Sequence, residues 1–137
     1  MTKTGSAREA RSGEWQGRLD NARAFHRAAR DLLAVPDEGQ NGNPAVVLIV
    51  HAAIAYGDAL TASAGGRVNQ RDHSGLPKLV RDALGQKADP TQIRRLEKIL
   101  EEKDAASYGA RTVRGDHARQ LLEQLDRFAR WVGDQLE

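Results

Sequence analysis

The sequence contains no cysteine, which removes disulfide scaffolds, thiolate zinc sites, iron–sulfur clusters and cysteine nucleophiles together. Aromatic residues are scarce at 4%, and no window sustains a period-2 alternation of β-branched residues, so strands have little support. No uninterrupted apolar run approaches the ~18 residues of a membrane span. The first residues, Met1 to Arg11, lack the apolar core of a signal peptide. The expectation is therefore a cytoplasmic protein without membrane contact. No glycine pattern follows a strand and no Gly-x-Ser-x-Gly elbow is present, which sets aside doubly wound nucleotide folds and serine hydrolases. No Glu-x-x-His or His-x-x-x-His pair occurs, so neither metal nor cofactor is expected. A surplus of one charge is also missing. Twenty-one Lys and Arg stand against 19 Asp and Glu, and only the placement of charge can argue for a partner.

What the chain does have is alanine, leucine and arginine in helical rhythm. Its 137 residues match one average domain: a flexible tail over 1–12 and a single helical-bundle domain over 13–137. From Glu14 to Ala34, Trp15, Leu19, Ala22, Phe25, Ala29, Leu32 and Leu33 mark one apolar stripe, with Arg18, Arg23, Arg27 and Arg30 largely outside it. Pro36 ends this helix. Asn43 and Pro44 read as cap and first position of a second helix reaching about Ala64, apolar on nearly every side and therefore the buried centre. A third helix follows Asp72 or Ser74, a fourth opens at Asp89 and ends near Tyr108, and a last one runs from about Arg114 to Leu136. The fold class is all-α: an up-and-down bundle of four long helices plus a shorter one, with no strand. Val47, Val50, Ile54, Leu96, Leu100, Leu122 and Leu125 are expected in one core.

Strict alternation of direction would place the loops after Gly66 and after Tyr108 at the same end. Arg67, Arg71, Arg111 and Arg114 would then form one basic pole, suited to phosphate or to a carboxylate-rich surface. The plainer reading is that these are solvated loop charges compensated by Asp72, Asp104 and Asp116. On the central helix His51 and Asp58 lie seven residues apart, on one stripe. His51 reads as a hydrogen-bonded core histidine ahead of a ligand or base. Asp58 needs a cation or several donors, with Lys103 or the hydroxyl of Tyr108 as partner.

Three segments carry a resemblance: His51-Ala-Ala-Ile-Ala-Tyr-Gly-Asp58-Ala-Leu, the pair Asp72-His73 opening a helix, and Lys103-Asp-Ala-Ala-Ser-Tyr108-Gly109 before a final amphipathic helix. In order and spacing they resemble bacterial HEPN-domain proteins, across most of the chain. The resemblance implies a helical bundle, a homodimer, that binds RNA or a nucleotide, in toxin–antitoxin or defence settings with a nucleotidyltransferase-like antitoxin as partner. Active members are metal-independent endoribonucleases with an Arg and a His four to six residues apart. Here Lys103 stands where that Arg would be, and Ser107 and Tyr108 where the His would be. Arg67 with His73, and Arg111 with His117, reproduce the spacing elsewhere. The implied site then has Arg67 and His73 as catalytic residues and Asp58, Arg71, Asp72, Lys103, Tyr108, Arg111 and Arg114 as substrate-binding ones. The alternative is a non-catalytic helical module for dimerisation or partner-protein binding. Trp15 and Trp131 bear on it, since they either form a two-fold contact or cover the open end of their own bundle.

Overall fold

The computed structural model describes residues 7–37, 39–70, 72–109 and 111–136. Its centre is the helix that the sequence leaves apolar all round. We number the helices α1 (Glu14–Leu32), α2 (Asn43–Gly65), α3 (Leu76–Leu84), α4 (Pro90–Glu101), α5 (Lys103–Tyr108) and α6 (Gly115–Leu136). By length and composition α2 could cross a membrane, but 83% of its most apolar window is buried against the rest of the fold. Val50, Ile54, Leu96 and Leu125 are buried in one cluster, with Val47, Leu100 and Leu122 partly buried against it. Each large apolar side chain fully removed from water there contributes roughly 1.5–3 kcal/mol, which makes α2 the main hydrophobic anchor.

The all-α class holds, with one addition. Strand β1 (Ala7–Glu9) pairs antiparallel with strand β2 (Arg67–Asn69), Arg8 opposite Val68. This corrects two expectations, since residues 7–9 are not a loose tail and the chain is not free of strand. Val68, buried at 1%, supplies the inward side chain that such a short ribbon needs. The last two turns expected of the fourth helix are separate too. The chain breaks at Glu102, and α5 follows as its own short helix.

Helix directions are the larger correction. α1 runs against α2, as Arg18 meets Asp58 and Phe25 meets His51. α3, however, runs with α2: Leu76 packs at Gly57 and Ala83 at Gly65. Both glycines are required by that approach, because a Cβ on Gly57 would lie 2.8 Å from Leu76 Cδ2 and one on Gly65 2.9 Å from Ala83 Cβ. α6 runs against α1, with Asp126 at His26 and Arg119 at the carbonyl of Leu33, and so runs with α2. α4 opposes α6, from Arg95 on Gln124 to His117 on Glu102. The directions of α3, α4 and α6 are thus the reverse of strict alternation. The reason is local: the segment after Gly66 makes a return pass of its own as β2, so α3 starts part-way down α2 and climbs beside it.

That reversal separates the arginines expected at one pole. Asn43 does not cap α2; its side chain donates to the carbonyl of Arg111 at 3.1 Å and accepts from the amide of Val113 at 2.7 Å. Asn41 forms a bridge with Arg114. Arg111 and Arg114 therefore sit at the start of α2 and Arg67 at its end, on the order of 30 Å away at ~1.5 Å per residue. Trp15 and Trp131 are both partly buried against the core of their own chain, Trp131 tilted on Phe128 at 5.9 Å. Among the described residues the large apolar side chains left exposed are Phe25, Leu32 and Val35.

Candidate functional site

Asp72 opens the region where sequence motifs and concave surface coincide. Its side chain accepts the amide of Ser74 at 3.0 Å, capping the 3-10 turn His73–Gly75 that leads into α3, where Pro77 takes a first-turn position. Asn69 Nδ2 donates to the carbonyl of Asp72 at 3.0 Å, so the end of β2 fixes the turn from the other side. These bonds hold His73 at a boundary between two clefts.

The outer cleft, about 470 Å³, has Asp72, Glu97, Glu101 and Asp104 around Lys103. The lysine therefore faces carboxylates on several sides, a poor field for an anion. The inner cleft, about 320 Å³, lies between α1, α2 and the His73 turn, with Arg18, Asn21, Phe25, His51, Asp58 and Asn69 on its walls. Asp58 is 2% exposed. Among the described residues its cation is Arg18, whose Nη1 donates to Oδ2 at 2.9 Å, and not Lys103 or Arg67. The α1 stripe turns Arg18 toward the cleft edge, where a side chain counted as outward can reach α2.

Arg18 is itself held. Glu14 Oε2 accepts from Arg18 Nη2 at 2.9 Å, and both Glu14 oxygens accept from Arg8 of β1. Hydrogen bonds from Arg8 and the Arg11 amide keep the Glu14 carboxyl far below the usual carboxylate range. Asp58 is shifted the other way. Burial pushes its carboxyl up to about 7, against the lowering influence of Arg18. Its Oδ1 and the Nδ1 of His73 are both buried with no hydrogen-bond partner among the described residues. Burial, with Lys103 nearby, lowers the pKa of His73 and keeps its imidazole neutral.

The remaining expected residues are dispersed. Arg67 is exposed and donates to the carbonyl of Ala7 at 3.1 Å, so it lines neither cleft and does not face His73. Arg114 pairs with Asp116 at 3.3 Å, and His117 with Glu102 at 3.2 Å. Arg71 and the side chain of Tyr108 lie outside the described residues. His51 is not a core histidine; it is exposed and stacks on Phe25 with ring centroids 5.4 Å apart. The core histidine is His26, between the Tyr56 hydroxyl at 2.8 Å and Asp126 at 2.7 Å.

Arg18, Asn21 and Phe25 were missed as site residues, although their i, i+3, i+7 spacing on one edge of the α1 stripe was visible. Among the described residues no group of three or more His, Asp or Glu is placed to hold a metal ion. A scan of protein-family models finds no match to the chain, and a search of curated proteins finds none, so the likeness to HEPN domains rests on the short motifs quoted above.

Proposed function

We propose that this chain is a HEPN-like helical domain that binds RNA or a nucleotide in the inner cleft. The observation that carries the reading is the pair of buried, unpartnered polar atoms, Asp58 Oδ1 and His73 Nδ1, lining one cleft with a cation and a stacked aromatic pair. Buried polar groups in folded proteins nearly always have partners, and a ligand able to hydrogen-bond would supply them. A nucleotide suits the rest of the wall. Phe25 and His51 offer a stacking face for a base, Asn21 and Asn69 offer amides for its edge, and Arg18 offers the guanidinium N–H groups not taken by Glu14 and Asp58 as hydrogen-bond donors. His73, kept neutral, is the group with the chemistry of a general base, and cleavage of RNA would run through it without Arg67.

The test is titration of the pure protein with AMP and with a fluorescent single-stranded oligonucleotide, alongside incubation with total RNA. His73→Ala and Phe25→Ala should weaken binding about tenfold, while Arg67→Ala should leave binding and any cleavage unchanged. Equal binding by wild type and His73→Ala would remove the inner cleft as the site. A second reading, a non-catalytic interaction module, is favoured by Leu32 and Val35, 45% and 75% exposed at the end of α1. In that case nucleotides leave the protein unaffected, and light scattering shows a mass above 15.0 kDa that Leu32→Ser reduces.

A further inference from the structure

The opposite flank of α1 carries a different surface. Arg23, Arg27 and Arg30 follow one another at i, i+4 and i+7 along α1, and Arg130 of α6 faces them across an open cleft of about 420 Å³. The arginine row spans roughly 10 Å of helix at ~1.5 Å per residue, so its charges lie along the cleft instead of converging on one point. The floor is buried His26 and Tyr56 joined to the partly exposed Asp126, with hydrogen bonds on both ring nitrogens of His26.

Charge balance makes this cleft unusual in a chain whose net charge is only +2. Four guanidinium groups line it against a single carboxylate, Asp126. That carboxylate is already engaged, because its Oδ1 accepts from Arg30 at 3.2 Å and is hydrogen-bonded to His26. Among the described residues Arg23, Arg27 and Arg130 have no carboxylate partner at all. Some exposed charges elsewhere pair, as Lys78 with Asp82 and Arg114 with Asp116, and others such as Arg67 have no carboxylate partner among the described residues. What sets this cleft apart is the four-to-one excess of guanidinium over carboxylate in its lining. An uncompensated guanidinium cluster over a rigid floor is complementary to closely spaced anionic oxygens, since each planar fork can donate two parallel hydrogen bonds.

We infer that the cleft between α1 and α6 is a binding site for an oligophosphate group, two or three linked phosphates, with Arg23 and Arg27 on one side and Arg130 on the other. Its surplus of three positive charges matches such a group and exceeds what a single carboxylate or sulfate needs. The site is separate from the inner cleft and does not depend on what that cleft binds. A diphosphate or triphosphate could belong to a free inorganic anion or to a nucleotide, and the recognised chemistry is the same.

Calorimetry at low salt with inorganic pyrophosphate, tripolyphosphate and orthophosphate tests the assignment. Saturable binding of pyrophosphate and tripolyphosphate is expected, with orthophosphate at least tenfold weaker and all affinities falling as salt rises. The Arg27→Gln/Arg130→Gln double variant should lose at least tenfold in pyrophosphate affinity. Both side chains are exposed and without an ion pair among the described residues, so a circular dichroism melt close to wild type is expected and separates lost binding from lost fold. His73→Ala should bind pyrophosphate as wild type does. ATP, titrated into His73→Ala so that the inner cleft does not contribute, assigns the source: affinity equal to that of tripolyphosphate means the phosphates alone are held, and tighter binding that Arg27→Gln/Arg130→Gln abolishes adds the nucleoside. No saturable binding by the wild type, undiminished binding by the double variant, or loss of binding in His73→Ala would each overturn the inference. The last result would place the anion in the inner cleft.

Discussion

Arg18 on α1 and Asp58 on α2 meet at 2.9 Å across forty residues of sequence, one charge a third exposed and the other almost wholly buried. The asymmetry decides how the pair behaves. Asp58 carries most of the desolvation cost and Arg18 offsets only part of it, which is why the carboxyl titrates near neutrality instead of near 4.

The stability that Asp58 contributes should therefore fall as pH rises from about 4 to about 7. In that window the folded chain keeps a proton on Asp58 that the unfolded chain has released, so deprotonation works against folding. Glu14 below its ordinary 4.5 and His73 below its ordinary 6.5 are shifted downward and have the opposite sign, and both cancel when wild type is compared with a variant changed only at Asp58. Asp58→Asn cannot ionise. Urea unfolding at pH 5 and pH 8 should show wild type losing at least about 1.4 kcal/mol relative to this variant, the equivalent of one pKa unit. A constant difference would show that Asp58 titrates as an ordinary carboxylate.

Removing the cation makes the pH dependence steeper. Arg18→Ala leaves Asp58 free to escape by protonation at pH 5, where the cost should be small. At pH 8 the buried charge has lost its partner, and about 1–3 kcal/mol of stability should go with it. Equal losses at the two pH values would mean that Arg18 acts through packing alone.

His26→Ala should be among the more damaging single changes on α1. It opens a cavity and strands the Tyr56 hydroxyl, which is otherwise bonded at 2.8 Å in a residue 4% exposed. The expected loss is about 2–4 kcal/mol, of which Tyr56→Phe in the same background should restore part by removing the stranded group. A double-mutant cycle without coupling would dissociate the two residues.

Gly57→Ala sets two effects against each other. Alanine gains about 1 kcal/mol in a helix interior, but its Cβ would meet Leu76 Cδ2 at 2.8 Å. Because α3 is held against α2 by Leu76 and Val80, both fully buried, the clash should win and lower the thermal midpoint. A raised midpoint would show that the Leu76 side chain swings away freely.

Much of this fold was legible where periodicity and caps agree. The limits of α1 and α2, the Asp72 and Asp89 caps and the buried character of α2 all follow from local residue chemistry. Direction was not legible, because the segment Gly66–Gly75 reads as a polar loop, and its three-residue strand exists only through pairing with Ala7–Glu9. The same distant pairing explains the site. Asp58 announced that it needed a cation, but Arg18 and Arg23 look alike in sequence, and only the α1–α2 crossing turns one toward the buried carboxylate. His51 was expected in the core and lies exposed, while His26 is the buried one, for a related reason. A histidine among arginines on an amphipathic helix looks exposed, one inside an alanine-rich helix looks buried, and neighbouring elements decide each case.

The ribbon of β1 and β2 also sets an order of events in folding. Ala7 leaves the ribosome early, but its partner Asn69 is synthesised only after α1 and α2 are complete. Closing a loop of that length costs chain entropy that three pairs of residues cannot offset alone, so the helical hairpin must form first and present β2 as a template. The N-terminal strand is then the last piece to dock and the first to leave. Amides of Ala7–Glu9 should exchange with solvent by local opening, well before those of α2, whose exchange should require unfolding of the whole chain.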